Sequence, residues 1–212
     1  MEPFIEAQYY HIYNRGAGRN NLFWSTEDFR LFIKKYIYYL APCIQTYSWC
    51  LLHNHFHALI SIRSVSDQCD FYQSNKTLFN SGHYHGNIDP EKTPFSASRQ
   101  LSHFMNSYTR FINKKRNRSG TLIEGPLKRK KIMNETQFLH LVCYIHRNPI
   151  HHGIVKNYRD YKYSSYFDFI TNRKTFLERD DVLERFGGIK NFKSSHQEFK
   201  YKSAYAEDYY LE

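Results

Sequence analysis

The stretch Thr46-Tyr-Ser-Trp-Cys-Leu-Leu-His-Asn-His-Phe-His-Ala-Leu-Ile-Ser-Ile62 decides the fold. Its aromatic and β-branched residues on either side of His53-Asn54 read as two β-strands meeting at a turn. A hairpin spanning Ile44 to Arg63 commits the chain to an antiparallel sheet. Side chains at i and i+2 share a face of a strand. His55 and His57 therefore point one way, and Phe56, Ala58 and Ile60 the other. Neutral imidazole is a common ligand for divalent metals. The pair is either structural or a cation site, and a zinc site is among the alternatives.

Outward from the hairpin, hydrophobic spacing sets the neighbouring elements. His11-Ile-Tyr-Asn-Arg-Gly16 alternates as a short strand that enters a glycine-containing loop. Ser25-Thr-Glu-Asp-Phe-Arg30 opens a helix, with Ser25 or Thr26 as its cap and acidic residues in its first turn. Phe29, Phe32, Ile33 and Tyr36 recur at helical spacing until Pro42 stops it. Residues 64 to about 95 are rich in Ser, Asn, Gly, His and Asp, and read as a long loop insertion. A second helix, from about Ser96 to Lys115, places Leu101, Phe104, Met105, Tyr108, Phe111 and Ile112 on its apolar side. A strand-like stretch then runs from Thr121 through Ile132.

Asn134-Glu-Thr-Gln137 has the capping-box pattern and starts a third helix. Phe138, Leu141, Val142 and Ile145 form its apolar face, while Gln137, His140, Tyr144 and Asn148 form a polar-tipped stripe. Pro149 should end or bend this helix at Asn148. The order βαββαβα describes an α+β sandwich with helices over an antiparallel sheet. After Gly153 the character changes. Tyr158, Tyr161, Tyr163, Tyr166 and Phe167 precede a helix near Asp180 to Phe186, and a mixed-charge tail closes the chain.

With 212 residues, 41% of them hydrophobic, the chain suits one domain with an appendage or two small domains, and global disorder is excluded. A net charge of +10 points to a polyanionic partner. Between Leu101 and Lys162, thirteen basic residues face three acidic ones, an excess equal to the whole net charge. Lys114, Lys115, Arg116, Lys128, Arg129 and Lys130 are the candidate phosphate contacts in that stretch; the alternative for any one cluster is a solvated face. Aromatic residues, 18% of the chain, supply core packing and stacking surfaces for unpaired bases. Cys43, Cys50, Cys69 and Cys143 lack CxxC spacing and read as reduced thiols. No membrane-length apolar run or leader-like start is visible, so a cytoplasmic protein is expected.

His55-Phe56-His57, taken with Tyr144-Ile-His-Arg-Asn-Pro-Ile-His-His-Gly153, resembles the single-tyrosine HUH transposases. The likeness is to the REP-associated branch in particular, whose helix motif is similar to Tyr-Ile-x-x-Asn-Pro-x-x-x-Gly. His11 to Gly16, Ser107 to Lys115, Ser119 to Gly125 and Tyr163-Ser-Ser-Tyr166 also look like the family. The likeness runs in order from roughly residue 8 to 170. Two departures stand out: His53 sits where the family usually has proline, and Cys143 where relatives can carry an acidic residue.

The resemblance implies a ferredoxin-like (RRM-like) catalytic domain over residues 1–153, with the insertion at 64–95 and a C-terminal extension over 154–212. It implies that His55, His57 and Asn148 bind Mg²⁺ or Mn²⁺ and that Tyr144 is the nucleophile. The implied activity is cleavage and rejoining of hairpin-containing single-stranded DNA through a 5′-phosphotyrosine, by a monomer or homodimer at the bacterial nucleoid. Tyr108, on the apolar side of its helix, is the rival nucleophile. His140 and His146 read as surface histidines, with assistance in proton transfer as the alternative, and His53 as no ligand, with a competing ligand as the alternative. Two other functions compete: a catalytically silent nucleic-acid-binding protein, and a zinc hydrolase. The hydrolase needs a third histidine or an acidic ligand near the pair, and a general base, and no such carboxylate is visible.

Overall fold

In the computed structural model, which describes residues 3–86, 89–171 and 173–200, four strands form an open antiparallel sheet. They are β1 (Tyr9–Arg15), β2 (Ile44–Leu52), β3 (His55–Ile62) and β4 (Lys128–Lys131), in the order β2-β3-β1-β4. Helix α1 (Thr26–Leu40) connects β1 to β2, and α4 (Ala97–Lys115) leads from β3 toward β4; the two pack together over one face. Helix α5 (Glu135–His151) covers the other face, against β2 and β3. This is the ferredoxin-like α+β sandwich that the pattern predicts.

Central strand β3 is buried along its length. Phe56, Ala58, Ile60 and Ile62 join the core under α1 and α4 with Phe29, Phe32 and Phe104. Leu59 joins the second core with Leu141, Tyr144 and Ile145 of α5. The alternation of the hairpin thus sends the His55–His57 face toward α5. The turn is His53-Asn54, and the carbonyl of His53 accepts the N–H of Leu22 (2.7 Å) and of Phe23 (2.9 Å). At the start of α1, the Asp28 carboxylate reaches back to the N–H groups of Trp24 (3.0 Å) and Ser25 (3.2 Å), which an unpaired first turn would leave orphaned.

Two expectations need correction. Residues 64–95 are not one loop: they carry α2 (Val65–Ser74) and α3 (Lys76–Asn80). Ser64 and Asp67 close a capping box at the start of α2, and Tyr72, Phe79 and Phe95 bury their rings in the first core. Gln68 ties the far end down, accepting the Phe95 N–H at 2.7 Å. The buried residues are few and spaced among polar ones, so no periodicity announces these short helices.

Helix α5, expected to end or bend at Asn148, does not end there: it runs through Pro149 to His151. A proline in the last turn removes one helical hydrogen bond, and the segment beyond it restores closure. Ile154 N–H donates to Pro149 O (2.9 Å) and Gly153 N–H to Ile150 O (2.9 Å), a Schellman arrangement with Gly153 at φ +64°.

The extension packs rather than trails. Tyr158, Tyr161, Tyr166, Phe169, Val182, Phe186 and Phe192 share the second core with α5. Helices α6 (Tyr166–Ile170), α7 (Arg179–Arg185) and α8 (Ile189–Glu198) supply most of them, α7 falling where Asp180 to Phe186 was expected to be helical. The end of the mixed-charge tail, 201–212, lies outside the described residues. Among the described residues, no helix is long and apolar enough to cross a membrane.

Candidate active site

Strand β3 delivers both histidines to the α5 face, His55 at 4% exposure and His57 at 0%. His57 Nδ1 lies 2.8 Å from Nε2 of His11, which reaches across from β1, and the two rings stack with centroids 5.0 Å apart. His55 Nδ1 meets Asn54 Oδ1 at 2.8 Å, and its Nε2 meets Asn148 Oδ1 at 3.2 Å. Helix α5 brings Tyr144 and Asn148 down from the other side, one turn apart. The Tyr144 ring stands edge-on to His57, 5.7 Å between centroids, and 6.3 Å from His11. His55, His57, Tyr144 and Asn148, separated by up to 93 residues in sequence, are therefore neighbours within one chain.

Burial keeps these imidazoles neutral. It pushes His11 down to about 3, with Lys130 adding to the effect, and His55 down to about 4, with His152 next in weight. Burial, then His11 and His55, hold His57 well below the ordinary histidine range. Neutral imidazole is the form that ligates a cation.

The donor set fits a divalent ion. Neutral His55 has one ring proton but faces oxygen at both nitrogens. With Nδ1–H given to Asn54, its Nε2 lone pair faces Asn148, and these two side chains would together hold a divalent ion. His57 Nε2 and Asn148 Nδ2 are also buried with no hydrogen-bond partner. Among the described residues, no three His, Cys, Asp or Glu side chains group as an ion site, so any such site here depends on the asparagine.

The other candidates lie elsewhere. Tyr108 is fully buried in the first core, on the opposite face of the sheet, where its hydroxyl donates to Leu22 O at 2.8 Å. His53 is exposed at the turn, its ring against Phe29. His140 is half-buried beside Phe199. His146, expected at the surface, is instead fully buried: its Nδ1 meets His196 Nε2 and its Nε2 meets Ser165 Oγ, both at 2.8 Å. The aromatic-rich extension gives the third helix a second buried face, which erases the simple inside–outside reading. Cys143 is buried there too, its thiol 3.7 Å from His196 Nδ1.

The cations divide by face. Directly opposed residues of paired strands share a side. Lys128 opposes Tyr13 and Lys130 opposes His11, so both lie on the histidine side, whereas Arg129 lies on the other, over the Phe4 ring. Lys114 is exposed at the end of α4. Lys115 and Arg116 grip Asp28, at 2.6 and 3.1 Å. Sequence reasoning did not single out His11 as a site residue. Its place in the alternating strand was visible, but the register that stacks it on His57 was not.

The fold and site define a ferredoxin-like sandwich whose His-x-His strand faces a helix-borne tyrosine and asparagine. The chain is similar to the solved structure of a REP-associated tyrosine transposase bound to a REP hairpin, with a TM-score of 0.57 and 15% sequence identity. The match covers 86% of this chain and 91% of the other, so it extends beyond residue 153 into the packed extension. At that identity the likeness establishes a shared fold. No family model and no curated protein matches the chain.

Proposed function

We propose that the protein is a transposase-like endonuclease and strand transferase acting on hairpin-containing single-stranded DNA. The observation that supports this reading is the meeting of Tyr144 and Asn148, on α5, with His57 and His55 on the α5 face of the sheet. Tyr144 Oη attacks the scissile phosphorus, the bond to the 3′-oxygen breaks, and the phenolic proton is balanced by the proton that the 3′-hydroxyl gains. The product is a 5′-phosphotyrosine and a free 3′-end, and the ester conserves the energy needed for rejoining. His55, His57 and Asn148 would hold Mg²⁺ or Mn²⁺, which when bound polarises the phosphate. Tyr144 is 1% exposed, so a phosphodiester reaches it only after covering side chains give way. Lys128 and Lys130, on the same side, are the first candidates for the approaching backbone.

The test is incubation of the full chain with labelled hairpin oligonucleotides and Mn²⁺ or EDTA, followed by denaturing gels. A metal-dependent, SDS-resistant adduct that vanishes in Tyr144→Phe and persists in Tyr108→Phe is expected. Binding with no adduct on any oligonucleotide would favour the silent nucleic-acid binder instead.

A further inference from the structure

His11 has no part in the chemistry above, yet it makes a short polar contact with a site histidine. Its Nε2 and His57 Nδ1 are 2.8 Å apart, both side chains are fully buried, and the rings are nearly parallel at 20°. A bond between two neutral imidazole nitrogens contains one proton, so one ring donates and the other accepts. The direction decides what His57 can do. If His11 donates, His57 must carry its own proton on Nε2, and that N–H is then buried without an acceptor. If His57 donates from Nδ1, its Nε2 is a bare lone pair, the state a ligand requires, and His11 carries its own proton on Nδ1. The number of ring N–H groups is the same in both directions, so the role of His57 as a ligand is what chooses between them. Ligating histidines generally give their second N–H to a neighbouring group that fixes ring orientation and tautomer.

We propose that His11 is a positioning residue for the site: by accepting the Nδ1–H of His57, it fixes the tautomer in which His57 Nε2 is free to bind a divalent cation. Both halves of this statement rest on the reading given under Proposed function, and the tautomer is measured without reference to it. Cross-strand placement supplies the rigidity. His11 pairs with Leu59 and His57 with Tyr13 in the β1–β3 register, so the two histidines are diagonal neighbours on adjacent central strands.

Two measurements on the full chain decide it. Long-range ¹H–¹⁵N correlation on metal-free protein with ¹⁵N-labelled histidine reads the tautomer directly, without mutation. His57 with Nδ1 protonated and Nε2 bare is expected; His57 with Nε2–H overturns the proposal. Mn²⁺ titration followed by water-proton relaxation then compares variants. His11→Phe should weaken Mn²⁺ binding about 10- to 100-fold. His11→Gln, whose Oε1 offers an acceptor at similar reach, should recover most of that loss, which a purely packing role would not produce. Unchanged Mn²⁺ affinity in His11→Phe overturns the positioning role. Wild-type protein that binds no Mn²⁺ but shows the Nδ1–H tautomer refutes the cation reading and leaves the tautomer assignment standing.

Discussion

Asp28 is a fully buried carboxylate with four partners: the N–H groups of Trp24 and Ser25, Lys115 at 2.6 Å, and Arg116 at 3.1 Å. Burial alone would raise its carboxyl, but Lys115, the Trp24 N–H and Arg116 together hold it below the usual range. It fastens the start of α1 to the end of α4 on the face away from the histidines. Asp28→Asn should therefore cost on the order of 2 kcal/mol, since it removes a buried charge from partners arranged around it. Urea unfolding would measure this, and an unchanged midpoint would show the pairing to be ornamental. The basic run Lys114-Lys115-Arg116 was legible as a phosphate-contact candidate, but its buried partner 87 residues upstream was not. His11 was hidden in the same way. Long-range partners follow from register and packing, which local pattern does not encode.

At the level of elements, the spacing from Asn148-Pro149 to Gly153 has a local cause. The Pro149 carbonyl accepts from Ile154 while Gly153, in left-handed geometry, turns the chain out of the helix. A methyl group added at Gly153 would meet no atom within 4 Å, so the conformation alone opposes substitution. Gly153→Ala should cost about 1 kcal/mol in unfolding measurements. Because that end of α5 holds Asn148, the proposed third ligand, the same variant should also weaken Mn²⁺ binding if the proposed site holds the ion. A loss of stability with no change in Mn²⁺ affinity would separate the cap from the site. The sheet edges show two kinds of protection. Outer strand β2 is covered where the extension returns: Leu51 N–H donates to Tyr163 O, Ser165 N–H to Trp49 O, and Glu178 N–H to Thr46 O, each at 2.9 Å. Strand β4 is short and is Lys-Arg-Lys-Lys throughout, a composition that also discourages edge-to-edge pairing. The long helices and the hairpin were readable because each has a strong period or a turn. Helices α2 and α3 were not, and Pro149 concealed the last turn of α5.

Over the whole molecule, neutral buried histidines join the layers on both sides of α5. His11, His55 and His57 lie toward the sheet, while His146 and His196 lie toward the extension. His196 Nδ1 donates to Phe192 O at 2.7 Å, and its Nε2 accepts from His146, whose Nε2 in turn accepts from Ser165. Burial drives His196 down to about 3 from an ordinary value of 6.5, with the cations Arg147 and Arg159 contributing; the Phe192 carbonyl opposes them. The unfolded chain thus binds protons that the native chain refuses. Stability from such a group is fully present above about pH 6.5 and is lost as pH falls from there toward the folded value. At pH 5.5 His196 should cost about 1 kcal/mol, and the other buried histidines act in the same direction. Urea midpoints should therefore fall steeply between pH 7.5 and 5.5, and His196→Gln, which cannot take up that proton on unfolding, should shrink the fall by about 1 kcal/mol. An equal fall in the variant would mean that His196 does not link acid to unfolding. The pH dependence would then have to come from the other buried histidines, His146 and the sheet-side cluster among them.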